Sequence, residues 1–222
     1  MQRSLVGSEM CIRDRNVSLY NETDGVAIYP CPVIGMVGTI SDVKNAVGTA
    51  LAHSGKSLYV LGQSDAKDGW LGASLLAAEL GYGDDYAPPP VNLNAEKHHG
   101  EFVAKAINDK AILAAHDIAD GGLLVAVTEM ALKGRLGVNL TLPEKLAILF
   151  GEDQARYVVV ANDDSTLETM AKASNVPILK IGAVTQSGEN GFGALKIGDS
   201  APISLAELFE LNEAFLPQIA SA

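Results

Sequence analysis

Asn16 and Ser18 flank Val17, and on an extended strand that spacing sets both polar side chains on one face with the valine on the other. An amide oxygen there can ligate a hard cation, and a hydroxyl can bond a phosphate or an amide of a substrate. By residue type alone, two polar groups at a strand end are the commoner meaning of such a pair. A second polar segment, His116-Asp117-Ile118-Ala119-Asp120-Gly121-Gly122, has the make-up of a strand-to-helix turn. Asp120 is placed to cap the helix that follows, and the two glycines permit tight turning or the close approach of a ligand. Capping and packing outweigh catalysis there. A third segment, Gly151-Glu152-Asp153-Gln154-Ala155-Arg156, sets two carboxylates and an amide before a buried apolar run, and its bland meaning is a polar loop.

Other groupings fail on context. Ala50-Leu51-Ala52-His53-Ser54-Gly55-Lys56-Ser57 matches a relaxed phosphate-loop pattern, with Ala in place of the first Gly. Such a loop needs a helix after it, so that backbone N–H groups and the helix dipole face the phosphates. Here the apolar strand Leu58–Leu61 follows at once, so Lys56 belongs to a solvated turn and not to an ATP site. His98 and His99 are adjacent, point to different helix faces and cannot make an i, i+4 metal pair; His99 falls on the stripe with Phe102 and Val103 and reads as packed. Asp163-Asp164 begin a helix, where negative charge is favourable. No Ser/His/Asp or Cys/His arrangement has local support, so no residue is assigned as catalytic.

The elements that position these groups alternate without a fixed repeat. Strands are expected at 16–21, 26–29 and Ile34–Ile40, around a turn Glu22-Thr23-Asp24-Gly25, and again at Leu58–Leu61. A helix is expected from Trp70 to Leu80, then an irregular loop from Gly81 to Pro90 with three consecutive prolines. Asn94 is expected to cap a helix reaching Ile107, before a buried strand at Ala111–Ala115. Asp120 would cap a helix to Lys133, with Leu123, Leu124, Val127, Met130 and Ala131 as its apolar stripe and Gly134 at its stop. Further strands are expected at Tyr157–Ala161, Ile178–Ala183 and Ala194–Ile197, with a short helix holding Leu167 and Met170. Ser204 and Glu207 form a capping box for the last helix. This irregular alternation predicts an α+β sandwich.

Composition narrows the function classes. Nearly half the chain is apolar, enough for a full core, yet no apolar run reaches the roughly 18 residues of a membrane span. The net charge of −11 repels a phosphate backbone and argues against nucleic acid as a partner, though not against a phosphorylated small molecule. Cys11 and Cys31 are the only cysteines, without CxxC spacing, which disfavours a zinc site or structural disulfide and points to a reducing cytoplasm. Residues 1–15, MQRSLVGSEMCIRDR, carry three of the five arginines, and Leu5-Val6 is far too short for a signal sequence. That string resembles the conceptual translation of a sequencing-adapter tail. It is taken as a non-native extension, with a disordered native arm as the alternative, and set aside from fold reasoning.

In combination and order, Asn16-Val17-Ser18-Leu19-Tyr20-Asn21-Glu22-Thr23, Ile28-Tyr29-Pro30-Cys31-Pro32-Val33-Ile34-Gly35, His116–Gly122, Gly151–Arg156 and the closing PISLAEL…FLP resemble phosphoribosylformylglycinamidine synthase. The resemblance runs from Asn16 to Ala222. It implies that residues 16–55 are the last strands of a second ATP-binding-type domain, and that 56–222 form a domain of the aminoimidazole ribonucleotide synthetase C-terminal type. It implies that Asn16 is a magnesium ligand, that Ser18 contacts formylglycinamide ribonucleotide, and that ATP and Mg2+ are the cofactors. The family's Gly before that Asn is replaced by Arg15, and Cys31 stands where the family often has Thr, a poor nucleophile for glutaminase chemistry. Glu152, Asp153, Gln154, Asp117 and Asp120 would line a pseudo-symmetric counterpart site. The implied activity is ATP-dependent amidation of formylglycinamide ribonucleotide with glutamine-derived ammonia, in the cytoplasm. The partners would be missing N-terminal synthetase domains, a glutaminase domain or subunit and small-molecule nucleotide substrates, with no nucleic acid and no membrane. The isolated chain is expected to be inactive. The alternatives are a non-catalytic, nucleotide-holding or docking half-module and, less favoured, a complete kinase of the same superfamily, whose N-terminal domain is lacking.

Overall fold

The computed structural model describes residues 22–27, 35, 37–40, 42–62, 69–81 and 87–220, with the backbone alone for Thr23 and 215–220. The chain divides into two compact units, Met1–Thr39 and Ile40–Ala222. In the first, β1 (Glu22–Thr23) pairs antiparallel with β2 (Val26–Ala27), with Thr23 opposite Val26. Asp24 and Gly25 both have positive φ, the combination a two-residue hairpin turn needs. The turn is thus tighter than the four residues expected, since Glu22 and Thr23 belong to the strand. Of the strand expected at Ile34–Ile40, Gly35 and 37–40 are described and are not in a strand; Val37 is 99% exposed, so nothing there packs to hold one. The strand expected at 16–21 lies outside the described residues.

The second unit is built on one mixed sheet. Its strands are β3 (Ser57–Leu61), β4 (Ile112–Asp117), β5 (Val138–Leu140), β6 (Tyr157–Ala161), β7 (Ile178–Val184), β8 (Ala194–Ile197) and β9 (Ile203–Ser204). They lie in the order β4-β6-β3-β7-β5-β8-β9, antiparallel throughout except for the parallel pair β5–β8. Its helices are α1 (Leu75–Glu79), α2 (Leu93–Asn108), α3 (Gly122–Gly134), α4 (Leu146–Phe150), α5 (Asp164–Ala173) and α6 (Leu205–Ala220). β3 is buried at every position because the sheet is covered on both faces, which is why its sequence is a continuous apolar run. Strand alternation separates the two cores. Leu58 and Val60, with Val158 and Val160 of β6, join Leu123, Val127 and Met130 of α3. Tyr59 and Leu61, with Val159 and Ala161, join Phe102 and Val103 of α2 and Leu167 of α5. The expected α+β architecture is the one found.

Several boundaries differ from the expectations for traceable reasons. Asn92, not Asn94, caps α2 by accepting from the Ala95 N–H at 3.1 Å. The helix expected from Trp70 shortens to α1, because the Trp70 N–H is taken by Asp153 and Ser74 caps what remains. Asp120 does not cap α3. Gly121 holds that position in a left-handed conformation without a side-chain cap. α3 runs through Gly134, where a Cβ would collide with the Leu51 backbone, and left-handed Arg135 closes it. β5, α4 and β9 are short elements outside the expectations. No described helix is long and apolar enough to cross a membrane.

Candidate functional site

The two polar motifs of this unit meet where β4 leaves the sheet. The register of β4 on β6, with Asp117 opposite Tyr157, brings the turn after β4 beside the loop before β6. The Ile118 N–H donates to the Arg156 carbonyl at 2.9 Å and fixes that proximity. Glu152 then ties the turn to the loop: its Oε1 accepts from the Gly121 N–H and from the Leu75 N–H, each at 2.8 Å. Its own N–H donates to the Trp70 carbonyl at 3.2 Å. One carboxylate oxygen therefore satisfies orphan donors at the starts of two helices, the position where negative charge is favoured. Gly122 is required here: its φ is +74° and a Cβ would sit 2.6 Å from the Phe150 carbonyl carbon.

Asp153 and Arg156 form a buried pair beneath this loop, 2% and 8% exposed, with Nη2 to Oδ2 at 3.2 Å. Burial pushes the guanidinium below its ordinary value, and the Asp153 charge opposes that shift. Arg156 also donates to two carbonyls of its own loop, Gly151 at 2.8 Å and Asp153 at 3.1 Å, while Asp153 accepts from the Trp70 N–H at 3.1 Å. These bonds make the pair a structural pin as placed. Gln154 is exposed, and its amide donates to the Glu152 carbonyl at 3.3 Å.

Ala155 is buried and left-handed, φ +60°, and α2 holds both of its polar atoms. Glu96 Oε1 accepts from its N–H and His99 Nδ1 donates to its carbonyl, both at 2.8 Å. Neither contact is among the expectations: Glu96 is not a candidate there, and His99 is expected only as a packed residue. The i, i+3 spacing that puts both on one helix face was legible, but their target, 59 residues from Glu96, was not. Asp117 and Asp120 are exposed; Asp117 Oδ1 lies 3.3 Å from His116 Nδ1, whose Nε2 faces Glu129 Oε2 at 3.0 Å. The structure thus brings Glu152 to the turn after β4 and places Asp153 beneath it. Asn16 and Ser18 lie outside the described residues.

The described residues do not fit a magnesium ion. No group of three His, Cys, Asp or Glu side chains among them could hold a metal, and the Glu152 and Asp153 carboxylates are already bonded to N–H groups and to Arg156. Lys56 donates to the Asn162 carbonyl at 2.6 Å and leads into β3 with no helix behind it, so its turn lacks the strand-to-helix setting of a phosphate loop.

Residues 53–193 match the family model described as AIR synthase related protein, C-terminal domain. The phosphoribosylformylglycinamidine synthase subunit PurL of Azorhizobium caulinodans is 42% identical over 208 residues, 91% of this chain and 27% of that protein. The chain therefore spans about a quarter of the length of that curated relative. Thermotoga maritima PurL complexed with FGAR superposes with a TM-score of 0.60 at 21% identity, covering 75% of this chain and 30% of that one. The same protein complexed with ADP gives 0.56 at 18%, over 75% and 27%. At those identities the solved structures establish the fold. The likeness to phosphoribosylformylglycinamidine synthase carried by the motifs is borne out at the level of sequence, and the chain belongs to the AIR synthase related family, whose C-terminal domain it contains.

Proposed function

We propose that this chain is the C-terminal portion of a phosphoribosylformylglycinamidine synthase, contributing to ATP-dependent conversion of formylglycinamide ribonucleotide to formylglycinamidine ribonucleotide. The observation that carries this reading is the 42% identity to a curated PurL subunit over 91% of the chain. In this reading the ammonia comes from glutamine through a glutaminase domain or subunit, the enzyme works in the cytoplasm, and the nucleotide substrates are small molecules. Magnesium supplies charge neutralisation at the nucleotide phosphates when bound. Its ligands would be Asn16 and residues of the missing N-terminal domains, with Ser18 on the ribonucleotide. No step through the ion follows from the described residues.

The part played by residues 40–222 is to build and brace a surface at the end of the sheet. Glu152, Asp153, Gln154, Asp117 and Asp120 belong to that counterpart site in this reading, and the bonds from Glu152 to Gly121 and Leu75 support it by setting the two motifs at one place. Because Glu152 and Asp153 are bonded within the protein, the non-catalytic half-module is favoured as the role of this portion taken by itself.

Two assays, one on the purified chain and one on a chimera, test the proposal. The purified chain, given formylglycinamide ribonucleotide, ATP, Mg2+ and ammonium, is expected to form no product; measurable turnover would overturn its predicted inactivity. Residues 40–222 exchanged for the matching segment of the Azorhizobium caulinodans subunit should leave ammonia-dependent turnover within about tenfold of the parent, a loss of no more than ~1.4 kcal/mol in transition-state stabilisation. A folded chimera without turnover would remove the functional assignment.

A further inference from the structure

Three elements converge on one peptide, and the counterpart-site reading does not account for it. The chain is left-handed at Ala155, a conformation that costs an alanine more than a glycine. Its N–H and its carbonyl both end on α2, at Glu96 and His99. The third element is the residue after β3: Gly62, φ +85°, has no Cβ, and one placed there would collide with the Ala155 oxygen and lie 2.9 Å from His99 Nδ1. A carbonyl oxygen only accepts, so His99 must carry its proton on Nδ1. Glycine is the easy residue for such a backbone, yet the sequence keeps alanine and surrounds it with partners.

We infer that Glu96 and His99 are positioning residues: they clamp the Ala155 peptide and thereby set the geometry of the loop from Gly151 to Arg156. The clamp acts at the hinge of the loop. On its N-terminal side stand Glu152, which reaches Gly121 and Leu75, and exposed Gln154; on its C-terminal side buried Arg156 accepts through its carbonyl from the Ile118 N–H and leads directly into β6. Releasing Ala155 would let Gln154 and Glu152 move while β6 stayed paired. The inference rests on the counterpart-site reading for its purpose, but the clamp is a property of the unliganded chain.

Amide hydrogen exchange on the 222-residue chain separates the possibilities. Glu96→Ala removes the acceptor, and the Ala155 amide should exchange at least about tenfold faster while Val158–Val160 of β6 change little. Glu96→Gln keeps an acceptor oxygen and should restore the protection. Trp70, the single tryptophan, is tied to the loop by its backbone N–H on Asp153, and its indole, bonded to the Ala87 carbonyl, should report the same loss and rescue in its emission. Equal acceleration at Ala155 and at β6, or no rescue by Gln, would overturn the clamp as a local device. Magnesium-ADP titrated onto the wild-type chain tests the loop's purpose separately. Absence of binding with Ala155 protection intact would overturn the site reading and support a clamp that is structural only.

Discussion

The loop end of the sheet and the face under α5 both rely on carboxylates, but for opposite purposes. At the loop end Glu96, Glu152 and Asp153 accept from backbone N–H groups of Ala155, Gly121, Leu75 and Trp70. The backbone there is irregular and half-buried, so its donors have no ladder to join and must be met by side chains from elsewhere. Under α5 the partners are side chains on regular elements. Asp164 accepts from Ser57 at 2.8 Å and Lys180 at 2.7 Å, and Glu168 accepts from the Tyr59 hydroxyl at 2.7 Å. The first arrangement determines a conformation; the second fastens a helix to a sheet that would form without it. The loop carboxylates should therefore matter more, and substitutions at three positions grade that difference.

Asp153→Ala should have the largest effect. It leaves Arg156 buried without its counter-charge and the Trp70 N–H without its acceptor. Breaking a buried pair from one side costs about 3–5 kcal/mol, which equilibrium urea unfolding would read as a lower midpoint at unchanged slope. Asp153→Asn keeps an acceptor for Trp70 and should fall between the two. A cost no greater than that of removing a group under α5 would end the distinction between the regions.

The same contrast explains what the sequence could disclose. β3, β6 and the apolar stripe of α3 were legible because strand and helix periodicity are local, and so was the start of α5 at Asp163-Asp164. The His116–Gly122 and Gly151–Arg156 motifs were legible as polar turns, but not as neighbours, since the bond from Glu152 to Gly121 crosses 31 residues of chain. Asp120 was a sound N-cap by composition and lost the position to Gly121, where the left-handed backbone turns into the helix and the distant Glu152 accepts the N–H. Trp70–Leu80 had helical composition, yet tertiary bonds from Asp153 and Glu152 claimed its first residues. In each case a long-range acceptor overrode a local preference.

Tyr59→Phe, under α5, should cost less. Its ring is buried, so packing is retained, while Glu168 is exposed and water can replace the lost donor. The loss should be about 0.5–1.5 kcal/mol near neutral pH. Burial, the bond to Glu168 and the nearby charges of Asp164 and Glu168 raise the Tyr59 phenol above its ordinary value of 10.0. A raised value favours the neutral form in the folded state, so this contribution is full below pH 10 and declines as pH rises beyond it. The gap between wild type and Tyr59→Phe in unfolding free energy should therefore narrow above pH 10. A gap that widens there would show that the phenol ionises more readily in the folded protein than in the unfolded one.

Asp163 should have the smallest effect and the clearest pH signature. It caps α5 at the surface, with Oδ2 accepting from the Thr166 N–H at 2.8 Å and from the Ser165 hydroxyl at 2.7 Å. Those hydrogen bonds, from Ser165 first and Thr166 next, with Lys56 nearby, hold its carboxyl down at about 2. Because the folded value lies below the ordinary 3.8, its stabilisation is present above that value and is lost as pH falls toward 2. Asp163→Asn keeps a capping oxygen but does not titrate, so its unfolding curves should match wild type more closely at pH 2 than at pH 5. Asp164 on the same turn, where burial pushes upward but the bonds to Lys180 and Ser57 outweigh it and leave the carboxyl lowered, titrates in both proteins and drops out of the difference. If the two proteins differ by the same amount at both pH values, the charge of Asp163 adds nothing to the cap, unlike the charge of Asp153 beside Arg156.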